Sequence, residues 1–243
     1  MQNVLSHFKW LFPVAFLLIA CSCSGNDSIP EEQKPRNPNS NPIASFTYLA
    51  LRDSYTVGEN VPYGHSFPLQ LSSGILEEKN IELKTTVIAQ TGWRTDELLF
   101  ATQGIEGSEY DLVTLLIGVN NQFQGRSIAQ YQNEFENLLE RAISVTQGNA
   151  NKVIVLSIPD YAYTPYGQNS NTAQISAEID LYNSKAQEIT KAKGVVFLSI
   201  TDITRRGILE PDLVAMDGLH PSGKAYEKFV ERLYPLVLSR LKD

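Results

Sequence analysis

Five short runs of β-branched and leucine-rich residues constrain the fold of this chain more than any other feature. They lie at 46–51 (FTYLAL), 83–89 (LKTTVIA), 112–117 (LVTLLI), 153–158 (VIVLSI) and 195–200 (VVFLSI). Each is too short to be a buried helix and reads as a strand covered on both faces. The intervening stretches carry helical periodicity. Between Ser127 and Thr146, Ile128, Tyr131, Phe135, Leu138, Leu139, Ala142 and Ile143 recur at helical spacing. Ile175, Ile179, Tyr182, Ala186 and Ile189 do the same. A third helix is expected from about Ser222 toward Leu241, with Pro235 kinking or ending it. Strands alternating with helices imply an α/β chain: a three-layer α/β/α domain around a parallel five-stranded sheet. No internal repeat interrupts that pattern.

The domain occupies residues 44–243, 200 residues that suffice for one sizeable core. Residues 1–20 are different: a single Lys9, an apolar stretch from Trp10 to Ala20, then Leu18-Ile19-Ala20-Cys21. The stretch is short for a bilayer span and resembles a bacterial lipoprotein signal, in which Cys21 becomes the lipid-bearing N-terminus. The alternative is an uncleaved N-terminal anchor. Residues 21–43 hold four of the 12 prolines and almost no apolar side chains, so they read as a disordered tether, roughly 70 Å long if extended at ~3.1 Å per residue. Both cysteines, Cys21 and Cys23, precede the domain, which therefore has no thiol chemistry. The expected location is the cell envelope, with attachment to the membrane through lipid.

Without residues 1–20, the basic count falls from 20 to 19 against 27 acids, and the net charge from −7 to −8. A surface of that sign repels nucleic acid and anionic headgroups, so neither is an expected partner. A zinc site is not expected either, because the domain holds two histidines and no cysteine. No cofactor is called for. The stretch GLHPSGKA at 218–225 approximates a phosphate-binding loop, but Ala225 stands where the magnesium-ligating hydroxyl belongs.

In an open α/β sheet, ligands bind beyond the carboxyl ends of the strands. The first strand ends in Arg52-Asp53-Ser54, the second in AQTGWRT with Gly92, and the third in IGVNNQF with Gly118 and Asn120. A hydroxyl, a glycine N–H and a side-chain amide thus reach one rim, as acyl transfer requires if fixed donors are to meet a tetrahedral oxyanion. Taken singly, each has a plainer meaning: Ser54 a helix cap or turn hydroxyl, Gly92 a turn glycine, Asn120 a loop residue. A serine nucleophile also needs a base. Of His65 and His220, only His220 has a carboxylate placed to orient it, Asp217 three residues earlier in MDGLHPSG.

Ser54 in ALRDSYTVGE, Gly92 in TGWRTDEL, Asn120 in GVNN and Asp217 with His220 in DGLHPS follow the order of the four blocks of the GDSL-type SGNH hydrolases, a family this chain resembles over essentially all of 44–243. The resemblance implies a flavodoxin-like domain that hydrolyses esters or thioesters through an acyl-enzyme. It implies Ser54 as nucleophile, His220 as base and Asp217 as its orienting group. The N–H groups of Ser54 and Gly92 and the Asn120 amide would form the oxyanion hole. The G-x-S-x-G elbow of the α/β-hydrolases is absent.

Two positions depart from the family pattern. Arg52 replaces the glycine before Asp53-Ser54, and Asn121 replaces an aspartate. At a strand end Arg52 can swing over the rim and hold an anionic substrate, or it can crowd Asp53 and perturb the turn. Trp93 and Arg94, beside Gly92, are expected at the pocket rim. Tyr161, with Tyr163 and Tyr166, forms either an aromatic wall to the substrate site or packing for the loop below. The expected substrate is a small-molecule ester, lysophospholipid-like or an acetylated glycan. The competing reading is a surface binding protein on an SGNH scaffold weakened by Arg52.

Overall fold

The computed structural model describes residues 42–53, 61–62 and 64–241. Strands β1 (Ala44–Arg52), β2 (Ile81–Ala89), β3 (Leu112–Leu116), β4 (Val153–Leu156) and β5 (Val196–Leu198) form one sheet in the order β2-β1-β3-β4-β5. All four pairings are parallel, and the order is that of flavodoxin-like doubly wound sheets. The five apolar runs of the sequence are these five strands. Every residue of β3 and β4 is buried, as expected of strands covered on both faces; the edge strands β2 and β5 are not so covered, with Leu83 the one buried residue of β2 and none in β5.

Among the described residues seven α-helices flank the sheet: α1 (Phe67–Lys79), α2 (Thr95–Ala101), α3 (Val119–Phe123), α4 (Ile128–Ser144), α5 (Thr172–Ala192), α6 (Thr201–Thr204) and α7 (Gly223–Arg240). Helices α1 and α7 pack on each other, as do α2 with α4 and α4 with α5. Side-chain caps set where the longer helices begin. Ser127 Oγ accepts from Gln130 N, Asn171 Oδ1 from Gln174 N, and Ser222 Oγ from Ala225 N. The described residues belong to one compact unit, and among them no helix is long and apolar enough to cross a membrane.

Pro235 does not end or visibly divide α7, which runs through it to Arg240. Its ring lies on the exposed side of the helix, where the carbonyl it deprives of a donor can turn to water. Helix α1 has no clear periodic signal in the sequence, since Ser72, Ser73 and Gly74 interrupt it. Packing holds it instead, through buried Phe67, Pro68, Leu71 and Ile75.

The register brings the rim together. Arg52 is level with Ala89 of β2 on one side and with Leu116 of β3 on the other. The segments leaving these three neighbouring strands therefore start from one level at the carboxyl edge of the sheet.

Candidate active site

The third strand leads through Ile117 into Gly118, which caps α3 with φ +131°. A Cβ at that glycine would lie 2.6 Å from Cε2 of Tyr131, so both the backbone and the neighbouring ring demand glycine. This tight turn delivers Asn120 to the rim. One N–H of its amide bonds the Trp93 carbonyl at 3.0 Å, and an amide nitrogen carries a second donor. Gly92, at φ +81°, lies in a separate turn that leaves β2.

Asn121 is fully buried and ties the two loops together. Its Nδ2 donates to Thr95 Oγ1 at 2.6 Å and its Oδ1 accepts from Thr95 N at 3.1 Å. The Thr95 hydroxyl donates onward to Glu134 on α4. The asparagine at this position thus makes a supporting contact that clamps α3 to the start of α2, and Thr95 is the partner that sequence reasoning did not find.

His220, the expected base, is built into a short closed loop. Val214 and Pro221 form an isolated antiparallel bridge, Ala215 N donates to His220 O at 2.7 Å and Gly218 N to Ala215 O at 3.0 Å. Within it Asp217 Oδ1 accepts the backbone N–H groups of Leu219 and His220 at 2.9 and 3.0 Å. Its Oδ2 lies 2.6 Å from His220 Nδ1. A carboxylate acceptor there fixes the proton on Nδ1 and makes Nε2 the basic nitrogen. Burial alone would raise the Asp217 carboxyl. The His220 ring and the two backbone donors outweigh it and hold the group below its ordinary value.

Gly92, Asn120 and His220 line one cavity of about 150 Å³, together with Thr91, Val119, Phe123, Tyr161 and Leu219. Tyr161 is therefore a wall of this space. Asp160 anchors it: Oδ1 accepts Ala162 N, while Oδ2 accepts Ser176 Oγ at 2.7 Å and pairs with Arg205 Nε at 2.9 Å. His65 lies elsewhere, in a groove with Gln70, Asp212, Lys224 and Glu227. Among the described residues no cluster of histidine, cysteine or acidic side chains could hold a metal ion.

Ser54, expected as nucleophile and oxyanion donor, lies outside the described residues, as does Cys21. Arg52, two residues before Ser54, is not on the rim. The side chain is 1 % exposed, with its guanidinium carbon 5.2 Å from the centroid of the Phe67 ring. Alternation along β1 puts Arg52 on the same face as Tyr48, against Phe67 at the start of α1. Its Nε and Nη1 have no hydrogen-bond partner among the described residues. Burial pushes its pKa down to about 10, and the fields of Tyr48, Tyr226 and Asp53 only partly oppose this.

Arg94 is also committed away from the cavity. It bonds both oxygens of Asp96, at 3.0 and 2.9 Å, and Gln124 Oε1 at 2.7 Å, holding the start of α2. Trp93 packs half-buried against the core and contributes its carbonyl to Asn120. Neither residue is among those that line the cavity. Phe123, Leu219 and Val119, which do, went unnoticed in the sequence although they stand within IGVNNQF and MDGLHPSG.

Residues 53–228 match the GDSL-like lipase/acylhydrolase family. Comparison with curated protein sequences finds no match. Similar solved structures include the psychrotrophic esterase EstA from Pseudoalteromonas sp. (16 % identity, 81 % of this chain and 99 % of that one, TM-score 0.61). A lipase/acylhydrolase from Enterococcus faecalis aligns at 19 % identity over 80 % of this chain and 96 % of its own, with TM-score 0.60. Axe2, an acetylxylan esterase from Geobacillus stearothermophilus, aligns at 14 % identity over 79 % and 94 %, with TM-score 0.61. The sheet order and flanking helices are those of the SGNH hydrolase α/β/α fold. With the match spanning most of the chain, the protein belongs to the GDSL-like lipase/acylhydrolase family of SGNH-type ester hydrolases.

Proposed function

We propose that the protein is a serine esterase that cleaves carboxylic esters through an acyl-enzyme on Ser54. The observation that carries this reading is the convergence of the Asp217–His220 pair, Gly92 and Asn120 on one cavity. In the first half-reaction Ser54 Oγ bonds to the ester carbonyl carbon, its proton passes to His220 Nε2, and the carbonyl π pair moves to oxygen. The Asn120 amide and the N–H groups of Gly92 and Ser54 receive that oxyanion. Collapse breaks the bond to the alkoxy oxygen, which takes the proton from His220 and leaves as the alcohol. Water then repeats the sequence with His220 as base and frees the acid.

The substrate we infer is an acetylated glycan in preference to a lysophospholipid-like ester. A cavity of about 150 Å³ suits a small acyl group, and one structural neighbour is an acetylxylan esterase. We also infer that Cys21 carries lipid and that the enzyme works tethered in the cell envelope, on the strength of the apolar segment ending at Cys21 and the proline-rich stretch after it.

Ser54→Ala tests the central claim. Hydrolysis of p-nitrophenyl acetate is expected to fall by several orders of magnitude, toward the ~10³–10⁴ over water that an oxyanion hole alone sustains. Circular dichroism should be unchanged. Retention of more than a tenth of the activity by a folded variant would overturn the assignment.

A further inference from the structure

The cavity at the catalytic pair is small. At about 150 Å³ it falls below the ~300–1,000 Å³ of pockets that enclose larger ligands. Gly92, Asn120 and His220 line it, and the remaining lining is largely apolar: Val119, Phe123, Tyr161 and Leu219. These walls differ in freedom. Val119 is 1 % exposed and Tyr161 5 %, the latter fixed through the Asp160 contacts. Phe123, by contrast, is 52 % exposed. It ends the five-residue helix that begins at the oxyanion loop, three positions after Asn120. Its ring meets Tyr161 edge-on at 5.8 Å and tilts against Tyr166 at 6.3 Å. One side of the ring therefore lines the cavity and the other faces solvent.

We propose that Phe123 is the specificity-determining residue for acyl length: its ring ends the acyl pocket and restricts the enzyme to short acyl groups. The inference rests on the ester-hydrolase reading above and adds to it the part of the substrate the cavity measures. A chain longer than the pocket must displace the Phe123 ring from Tyr161 or leave its tail in water. Truncating the ring joins the cavity to the outer face of Tyr166 without touching a donor or the base. The ring's exposure means that the fold does not depend on it.

The test compares kcat/KM of the wild type, Phe123→Ala and Phe123→Trp on p-nitrophenyl acetate, butyrate and octanoate. The leaving group stays constant, so only the acyl chain varies. The wild type is expected to favour acetate over octanoate by at least tenfold. Phe123→Ala should raise the octanoate-to-acetate ratio by tenfold or more, and Phe123→Trp should lower the butyrate-to-acetate ratio. A parallel series of acetate esters with lengthening alcohols should show no comparable shift. An unchanged acyl ratio in Phe123→Ala, an equal loss on all three substrates, or a shift confined to the alcohol series would overturn the proposal while leaving the esterase reading intact. Failure of the wild type to hydrolyse any ester, together with no labelling of Ser54 by a fluorophosphonate, would instead overturn the esterase reading and this proposal with it.

Discussion

Replacing Arg52 by methionine should stabilise the protein, although it removes a long side chain from the core. A guanidinium pushed by burial well below its ordinary value, to about 10, carries a cost of roughly 3 kcal/mol in its charged form, at about 1.36 kcal/mol per tenfold change in proton affinity. Attraction to the Phe67 ring returns about 1 kcal/mol, which leaves a net burden of about 2 kcal/mol. Methionine keeps the unbranched stem, fills similar space against Phe67 and leaves no N–H without a partner. For a domain of this size about 2 kcal/mol corresponds to a rise in Tm of roughly 4–8 °C. The sign with pH is definite. A cation whose folded value lies below its unfolded one is penalised fully below about pH 10, and the penalty recedes only as pH rises above that toward the unfolded value. Thermal unfolding at pH 7 followed by circular dichroism therefore reads the whole effect. Arg52→Lys, which keeps a charge but hydrates it more strongly, should fall below the wild type. A lower Tm for Arg52→Met than for the wild type would refute the reasoning and show that the guanidinium is net stabilising where it lies.

Three further outcomes are expected. Asp217→Asn should lower kcat by up to about 10⁴-fold through loss of the productive tautomer. Because the Asp217 carboxyl is held below its ordinary 3.8, its contribution to stability is complete above that pH and lost as pH falls through the depressed value. The variant should accordingly show a shallower decline in Tm below about pH 4 than the wild type does, and an equally steep decline would contradict the depressed value. Asn121→Asp, which restores the family's usual residue, should destabilise by ~1–3 kcal/mol, since the buried carboxylate would lose the donor to Thr95 Oγ1 while that hydroxyl already serves Glu134; a midpoint in urea unchanged from wild type would disprove this. Cys21→Ser should abolish incorporation of labelled fatty acid, and label persisting in the variant would place the anchor elsewhere.

What was legible from the sequence was what neighbouring residues decide among themselves. The five strands were readable because each is a short run of β-branched and leucine residues between helical stretches, although only β3 and β4 are buried throughout. Helices α4, α5 and α7 were readable because their apolar periodicity follows a capping residue, Ser127, Asn171 or Ser222. Asp217 and His220 stand three apart in one loop, so their contact is local and their spacing announced it. The tertiary structure decided everything that depends on which distant residue occupies the other side. Arg52 is a core residue because β1 alternation turns it toward Phe67, fifteen positions on; nothing adjacent to it distinguishes that face from the rim. Arg94 left the rim because Asp96 and Gln124 satisfy its donors. Phe123 entered the site because Tyr161, arriving from beyond β4, stands against its ring. Helix α7 continues through Pro235 because that side of the helix faces solvent. Local propensity and spacing are properties of a segment, whereas exposure and partnership are properties of the packed chain, and the shape of the cavity belongs wholly to the second kind.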